Sequence, residues 1–238
     1  MEAEICEVQR LGEVEYDIAW KLQDHLAAEI AAGNCPPTLL LLEHPHTYTF
    51  GRRGQAQNLL WDEAECARRG IRVHWVDRGG DVTYHGPGQL VGYPLLPLAP
   101  GGVWAGKHTE EARIPQADYV GYLRKLERAL ILALGTLGVA GEQIEGLTGV
   151  WVRQPGLAKV AAIGVKVDAH GISRHGFALN VDPDMSYWNG IIGCGLAGSQ
   201  TISLAQILQP VPAMETVMDC VTEAFGQIFD LQMSSRIR

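Results

Sequence analysis

An α+β fold, in which helices flank a mixed and largely antiparallel sheet, is the architecture that the sequence predicts. Helical stripes and strand-like runs both occur along the chain, but they do not alternate in the strict order of βαβ units. Two β-like runs, 160–167 and 172–181, are joined by a short turn and indicate an antiparallel hairpin. Hydrophobic residues make up 47% of the chain and charged residues 19%, which supports one sizeable core. We therefore expect a single domain over residues 1–238.

The helices are predicted from apolar spacing and from the residues at their ends. The first covers residues 16–32, and Gly33-Asn34 ends it. Its apolar stripe consists of Ile18, Leu22, Leu26 and Ile30. A short helix over 62–69 begins at Asp62, a favourable N-cap. The remaining predicted helices cover 119–137, 203–208 and 213–229.

Short apolar or β-branched runs predict the strands. Residues 38–42 follow two prolines and indicate a buried strand, and 71–76 and 91–95 indicate two more. Leu98 to Ala117 is rich in glycine and proline and predicts a long loop.

Charge and cysteine usage exclude several classes of protein. The net charge is −8 and no basic block occurs, so nucleic-acid binding is not expected. The N-terminus lacks the pattern of a signal peptide, and the longest weakly polar stretch, 129–141, is too short to span a bilayer, so no membrane association is expected. Five widely spaced cysteines without a C-x-x-C pair favour reduced thiols and a cytoplasmic location.

No metal site is expected. His44 and His46 are spaced like a pair of ligands, but no third ligand completes a site nearby. The chain also lacks a Walker loop and the dinucleotide fingerprint, so no cofactor is predicted.

The densest sequence feature is the glycine-rich run from Arg78 to Gln89. Four glycines between residues 79 and 89 are costly for stability, because each loses extra backbone entropy on folding. Such a run suits a place where the backbone approaches a ligand, and it equally suits a tight turn between two strands.

A lysine, Lys159, opens the β-like run that follows. A lysine at the start of a strand is most often an exposed edge charge, and a functional role requires a partner. Strand alternation predicts that Lys166, seven positions later, lies on the opposite face.

The candidate nucleophile is Cys194, which stands between Gly193 and Gly195. A lone cysteine is commonly a small buried hydrophobe. The two glycines would leave room for an incoming carbonyl and free backbone N–H groups for an oxyanion. An ammonium about 4 Å away contributes roughly 4 kcal/mol at an effective dielectric of about 20, which is enough to make a reactive thiolate. A Cys–Lys pair is therefore sufficient, and a papain-like pairing of the thiol with His85 or His175 stays open as well.

Together these segments resemble the motifs of the lipoyl(octanoyl) transferases. The motifs occur in that family's order between about residues 38 and 204. They are Glu43-His44-Pro45, Arg78 to Gln89, Lys159 to Val165, His175 to Asn180 and Cys194-Gly195.

The resemblance implies an activity and its partners. An octanoyl group would pass from octanoyl-acyl carrier protein to a lysine of lipoyl domains, in 2-oxoacid dehydrogenases and in the glycine cleavage H protein. This transfer is the first step of endogenous protein lipoylation. The catalytic fold would be that of lipoate and biotin protein ligases. Cys194 would carry the acyl group as a thioester, and Lys159 would lower the pKa of the thiol and shuttle protons.

The resemblance also implies which residues bind the acyl substrate. They are Arg78, Gly79, Gly80, Asp81, Val82, Thr83, Tyr84, His85, Ala162, Ile163, Gly164, Gly176, Phe177 and Ala178. We expect the small residues among them to leave room for an eight-carbon chain. Because both this chain and acyl carrier proteins are acidic, docking requires a local basic patch. Its candidates are Arg52, Arg53, Lys107, Arg113, Arg124, Lys125 and Arg128.

Two other functions fit parts of the pattern. One is an ATP-dependent ligase of the lipoate or biotin type, which would require ATP and a free fatty acid and would not need Cys194. The other is a binding module that holds lipoylated or carrier domains without turnover.

Overall fold

A nine-stranded mixed sheet forms the centre of the computed structural model, which describes residues 4–98, 118–154, 156–193 and 200–235. The strands are β1 (Glu4–Glu13), β2 (Thr38–Glu43), β3 (Thr47–Phe50), β4 (Arg72–Trp75), β5 (Val82–His85), β6 (Gln89–Leu95), β7 (Glu142–Ile144), β8 (Leu147–Arg153), β9 (Leu157–Val167), β10 (Ser173–Asn180), β11 (Gln200–Thr201) and β12 (Leu231–Ser235). The α-helices are α1 (Tyr16–Ala31), α2 (Glu63–Arg68), α3 (Tyr119–Thr136) and α4 (Met214–Phe229). Short 3-10 turns cover Ala56–Asn58, Met185–Gly190 and Leu204–Gln206.

The large sheet has the order β12-β1-β2-β6-β10-β9-β8-β7, and β11 pairs with β9 beside that path. Strand β1 runs parallel to both β12 and β2, whereas the pairs from β2 through β7 are antiparallel. The architecture is therefore α+β with a mixed and largely antiparallel sheet, and the predicted fold class is confirmed.

Helices cover both faces of the large sheet, as the alternation along β2 shows. Leu39 and Leu41 pack into the hydrophobic cluster shared with α3 and α4, whereas Leu40 and Leu42 pack into the cluster shared with α1. Each of these four side chains is fully buried. A strand buried on both faces reads as a continuous apolar run, which is why residues 38–42 were predictable.

Three strands form a second, smaller sheet in the order β4-β3-β5. Its own cluster of buried side chains includes Tyr48, Phe50, Val82 and Tyr84. The segment from Asp77 to Asp81 leads from β4 into β5 and hydrogen-bonds to the large sheet, because the Gly79 N–H donates to the Val165 carbonyl oxygen at 2.9 Å. The glycine-rich run therefore crosses from one sheet to the other.

The predicted apolar stripe of α1 is wrong in its details. Ile18 is 55% exposed, while the buried positions of this helix are Tyr16, Ala19, Gln23, Ala27 and Ile30. A helix turns by 3.6 residues, so a set of positions spaced strictly by four drifts away from the buried face. The predicted limits of the helix are nearly correct.

The expectation that Lys159 and Lys166 lie on opposite faces of β9 is also wrong. The register between β8 and β9 shifts by one residue, and the adjacent Val160 and Ala161 both pack into the same hydrophobic cluster. A bulge of one residue reverses the alternation that follows it. The two lysines, seven positions apart, therefore lie on the same face.

Several elements were not predicted at all, namely β1, β3, β5, β7, β8, β11 and β12. Strand β5 contains only four residues inside the glycine-rich run, so the turn signals around it hide its pattern. The predicted hairpin is confirmed as β9 and β10. The predicted loop from Leu98 to Ala117 lies, apart from Leu98, outside the described residues. Within the described ranges, no helix is long and apolar enough to cross a membrane.

Candidate active site

A cavity of about 540 Å³ lies between the glycine-rich run and the face of the large sheet formed by β9 and β10. This volume is within the range of roughly 300–1,000 Å³ that small-molecule sites occupy. The predicted residues on its walls are Arg78, Gly79, Gly80, Asp81, Val82, Thr83, His85, Lys159, Ala162, Ile163, Gly164, Gly176, Phe177 and Ala178. Three segments that are far apart in the sequence are thus brought to one cavity.

Tyr84 is the exception among the predicted substrate-binding residues. Its side chain is fully buried in the core of the small sheet, where its ring stacks on Tyr187 with 5.4 Å between the ring centroids. Its hydroxyl oxygen lies 2.9 Å from His46 Nδ1. Because side chains alternate along β5, Thr83 and His85 face the cavity while Tyr84 faces the other way. We therefore remove Tyr84 from the substrate-binding set.

The glycines of the cavity have a different role from the one expected. A Cβ at Gly164 would come within 2.9 Å of the Gly79 carbonyl oxygen, and one at Gly176 would collide with the backbone of Gly92. The space beside each of these two glycines is therefore filled by neighbouring backbone and is not open to a ligand. Gly164 and Gly176 allow segments of the chain to approach one another closely, and the room for a ligand lies elsewhere along the walls.

Arg78 fixes the glycine-rich run, which forms one side of the cavity and is called its roof. Its side chain is 7% exposed, and its Nη2 donates to the Thr49 carbonyl oxygen at 2.6 Å and to Thr49 Oγ1 at 2.9 Å. Its Nη1 donates to the Gly79 carbonyl oxygen at 2.9 Å. A buried guanidinium with several acceptors is a rigid brace, since its planar fork fixes the directions of its hydrogen bonds. The brace fixes the glycine-rich run to β3.

Lys159 is a buried lysine on the wall of the cavity. Its residue is 8% exposed, and its Nζ lies 4.8 Å from the centroid of the Trp151 ring, a distance suited to a cation–π contact. Gly149 lies beside the aliphatic part of the side chain, and a Cβ there would come within 3.4 Å of Lys159 Cδ and Cε. Gly149 has φ +118°, a conformation that favours glycine. The lysine is therefore held between an aromatic ring and a glycine.

The fully buried carboxylate of Glu127, on α3, holds the strands beside Lys159 in place. Its Oε1 accepts a hydrogen bond from the Gly149 N–H at 2.9 Å. Its Oε2 accepts from Arg124 Nη1 at 2.7 Å and from Gln143 Nε2 at 2.9 Å. Glu127 thus ties helix α3 to the strands that precede Lys159.

We expect Glu127→Ala to lower the free energy of unfolding by about 3 kcal/mol, because it leaves the buried Gly149 N–H without its acceptor and removes the carboxylate partner of Arg124. The measurement is urea denaturation followed by circular dichroism. Glu215→Ala serves as the control, because that carboxylate is paired with Arg10 but is 71% exposed, and it should change stability far less. Equal losses in the two variants would contradict a bracing role for Glu127.

The buried His175, on another wall of the cavity, forms a pair with the half-buried Asp77. His175 Nε2 donates to Asp77 Oδ1 at 2.9 Å, and its backbone N–H donates to Gln23 Oε1 at 2.7 Å. Its φ of +56° is uncommon for a residue other than glycine, so these contacts hold it in a strained conformation. Burial lowers the pKa of His175, and the hydrogen bond from His175 holds the pKa of the Asp77 carboxyl well below its usual range. The histidine is therefore neutral near neutral pH, and its hydrogen bonds to Asp77 and Gln23 hold this wall of the cavity in place.

His85 is a second buried histidine at the cavity. Its Nδ1 lies 2.9 Å from Gln89 Oε1, and burial shifts its pKa well below the usual value. Neutral imidazoles do not supply the positive charge that would stabilise a thiolate. Among the residues described at the cavity, Lys159 and Arg78 are the buried cations, and Arg78 is committed to Thr49 and Gly79.

Cys194 lies outside the described residues, so its position relative to Lys159 stays a prediction. The chain on either side is described. Gly193 ends the preceding segment, and the following residues Gln200–Thr201 form β11, which runs parallel to β9 with Thr201 opposite Lys159. The segment that contains Cys194 is therefore followed directly by residues beside the lysine.

Sequence reasoning missed several residues of the cavity, among them Tyr16, Tyr93, Leu123, Gly146, Leu147 and Thr148, and it named His175 only as an alternative partner of the thiol and as a motif residue. It also missed Asp77 and Glu127, which act through their neighbours. Asp77 directly precedes the Arg78 motif, and Glu127 lies four positions after Leu123 on the apolar side of α3. A carboxylate on an apolar stripe was the signal available for Glu127. No group of three metal-ligating side chains occurs within the described ranges.

The sequence matches a known family model and several known proteins. Residues 15–226 match the family model described as the lipoyl protein ligase A/B catalytic domain. An octanoyltransferase of Chloroflexus aurantiacus is 44% identical over 225 residues, which cover 94% of each chain. An octanoyltransferase of Solibacter usitatus is 42% identical over 228 residues, covering 96% of this chain and 94% of the relative.

Solved structures show the same fold at low sequence identity. A bi-partite lipoate protein ligase of Thermoplasma acidophilum aligns with a TM-score of 0.69 at 14% identity, over 100% of this chain and 88% of that one. The biotin protein ligase of Aquifex aeolicus in complex with biotin and ATP aligns with a TM-score of 0.52 at 14% identity, over 94% of this chain and 70% of that one.

Proposed function

The chain belongs to the family of the lipoyl protein ligase A/B catalytic domain, and from that premise we propose that it is an octanoyltransferase. It would transfer an octanoyl group to a lysine of lipoyl domains in protein lipoylation. The identity of 44% to an octanoyltransferase over 94% of both chains is the observation that carries this proposal. The cavity supports it, because it joins the glycine-rich run, the two central strands and Lys159 around one space of suitable size.

The proposed mechanism uses Cys194 and Lys159 as a pair. In the first step the Cys194 thiolate attacks the carbonyl carbon of the donor thioester. The bond from the acyl carbon to the donor sulfur breaks, and the donor leaves as a thiol after it takes a proton from Lys159. One thioester replaces another, so this step needs no other source of energy.

In the second step the amine of the acceptor lysine attacks the acyl-Cys194 carbonyl carbon. Lys159, now neutral, takes a proton from the attacking nitrogen, and the Cys194 thiolate leaves. An amide forms from a thioester, so the step runs downhill. The lysine ends protonated and the cysteine ends as a thiolate, and the enzyme is ready for another cycle.

The donor and acceptors follow from the same proposal. Octanoyl-acyl carrier protein is the proposed donor, and the lipoyl domains of 2-oxoacid dehydrogenases and the glycine cleavage H protein are the proposed acceptors. The Thermoplasma acidophilum ligase with the same fold belongs to a lipoylation system described together with its E2 lipoyl domain. We place the reaction in the cytoplasm, in keeping with the free thiols of Cys6, Cys35, Cys66 and Cys220.

Intact-mass spectrometry tests the proposal directly. After incubation with octanoyl-acyl carrier protein, without ATP, the protein should gain the mass of one octanoyl group, and peptide mapping should locate it on Cys194. Addition of a lipoyl domain should then remove the group and transfer it to that domain. A protein that stays unlabelled with the carrier but modifies a lipoyl domain from ATP and free octanoate would instead be a ligase. The ligase alternative is included in the test because the chain shares its fold with a lipoate-protein ligase bound with ATP.

A further inference from the structure

Most of the lysines and arginines in the described part of this acidic chain are paired with carboxylates. The pairs within 4 Å include Arg10 with Glu215 and Asp219, Arg68 and Arg69 with Glu65, Arg72 with Glu15, Arg124 with Glu127, Arg153 with Glu142, and Lys166 with Asp77. Arg52 and Arg53 differ from these. Both are exposed, and neither forms an ion pair with any described carboxylate. In a chain of net charge −8, two consecutive arginines without such partners form a local positive site.

This pair lies at the cavity. Arg53 is one of the residues on its wall. The Arg52 N–H donates to the Arg78 carbonyl oxygen at 2.9 Å, and the Arg53 N–H donates to the Gly80 carbonyl oxygen at 3.0 Å. A Cβ at Gly51 would come within 2.5 Å of the Gly80 carbonyl oxygen, so the turn that carries the two arginines packs directly against the glycine-rich run. The backbone under both arginines is therefore fixed.

An exposed aromatic ring borders the same turn. Trp75 is 57% exposed and stacks on Phe50, with 4.5 Å between the ring centroids. Phe50 is the last residue of β3, just before the turn that carries Arg52 and Arg53. Tryptophan and arginine are the side chains that most often dominate binding energy at protein interfaces. We call Arg52, Arg53 and Trp75 the Arg52–Trp75 surface.

The other basic candidates are weaker. Arg124 is committed to the buried carboxylate of Glu127, and Lys125 lies over the Phe229 ring with 5.7 Å from Nζ to the centroid. Arg128 is exposed without a described carboxylate partner, but it does not line the cavity. Lys107 and Arg113 lie outside the described residues. Only the turn after β3 combines unpaired charge, an exposed ring and contact with the cavity in the described part of the chain.

We propose that the Arg52–Trp75 surface docks the acidic carrier protein that delivers the acyl thioester. The inference rests on the proposed function, because it names where that function's donor binds. Two arginines attract the acidic face of the carrier, and Trp75 packs against it. The thioester arm then enters the cavity past Arg53. Since attraction between exposed charges acts mainly on the rate of encounter, this surface should govern the second-order rate of acylation.

The test compares two donors. The efficiency of Cys194 acylation is measured with octanoyl-acyl carrier protein and with octanoyl-pantetheine, which has the thioester but no protein. The efficiency with the carrier protein is divided by the efficiency with octanoyl-pantetheine. This ratio cancels any effect of a variant on the cavity itself. We expect the ratio to fall about tenfold in Arg52→Ala and in Arg53→Ala, and further in the double variant. Trp75→Ala should also lower it, and Arg128→Ala, the matched control, should leave it unchanged.

Added salt and the second half-reaction complete the test. Raising the ionic strength should lower the wild-type ratio and affect the double variant much less, because its attraction is already gone. Unchanged ratios in all variants, with normal wild-type acylation, would overturn the docking surface and leave the octanoyltransferase in place. A defect confined to transfer onto the lipoyl domain would assign the surface to the acceptor and overturn the proposal. A wild-type protein that neither donor acylates would remove the proposed function and this surface together.

Discussion

Cys194→Ala is expected to abolish formation of the acyl-enzyme and to lower octanoyl transfer by roughly 10⁴-fold or more. Alanine offers no atom that can carry an acyl group, so the two-step path through a thioester is lost. What remains is direct attack of the acceptor amine on the donor thioester within the cavity. Enzymes that lose their nucleophile keep only the contribution of binding and electrostatic stabilisation. Intact-mass spectrometry after incubation with octanoyl-acyl carrier protein should show no added octanoyl group.

The other cysteines provide the matched control. Cys6 and Cys66 are buried, and desolvation raises the pKa of the Cys6 thiol to about 12 and also raises that of Cys66. Cys220→Ala should therefore keep the label at the wild-type level, because burial raises the pKa of that thiol as well. Labelling that persists in Cys194→Ala would show that another group receives the acyl chain, and the proposed mechanism would have to be abandoned.

Lys159→Met should slow acylation near pH 7 by about 10²- to 10³-fold. An ammonium about 4 Å from the thiolate contributes roughly 4 kcal/mol, or up to about three pKa units before desolvation is subtracted. Methionine keeps much of the volume between Trp151 and Gly149 but carries no charge. The thiol of the variant should then ionise near the ordinary value of about 8.5, so that its acylation rate recovers as the pH rises through that value. The measurement is the pH profile of acylation followed by stopped-flow or quenched-flow mass analysis.

Lys159→Arg separates the two roles proposed for the lysine. A guanidinium keeps the positive charge and should preserve part of the acylation rate. It does not release a proton in this pH range, so transfer to the lipoyl domain should fall much more than acylation. If Lys159→Met instead acylated at the wild-type rate with an unshifted pH profile, Lys159 would have no part in activating the thiol.

The sequence predicted those parts of the fold in which local pattern and tertiary environment agree. The fully buried run from Thr38 to Leu42 and the long stripe of α3 are examples. It failed on the face of α1, where Ile18 is exposed, since a spacing of four approximates the true period only over a short distance. It also failed at β9, because a bulge depends on the partner strand and leaves no mark in the periodicity of one strand.

For the site, the motifs located the cavity wall but not the residues that support it. Arg78 to His85 could be found because its glycines and its order with the later motifs are unusual. Tyr84 was misplaced because alternation inside a four-residue strand cannot be read through the surrounding turns. Glu127 and Asp77 act through Gly149 and His175, contacts that bring together residues 22 and 98 positions apart. Such long-range pairs are set by the fold and not by any local pattern.

The close contact between roof and floor of the cavity limits how its selectivity can be redesigned. At Gly164 and Gly79 two stretches of backbone meet with no side chain between them, and the hydrogen bond from Gly79 to Val165 holds that spacing. Acceptance of a bulkier or longer acyl chain therefore cannot be engineered by shortening a side chain at this point. Any larger residue at Gly164 would push the glycine-rich run away from the large sheet. Room must be made at other positions of the wall, where larger side chains such as Tyr93 and Leu123 line the cavity.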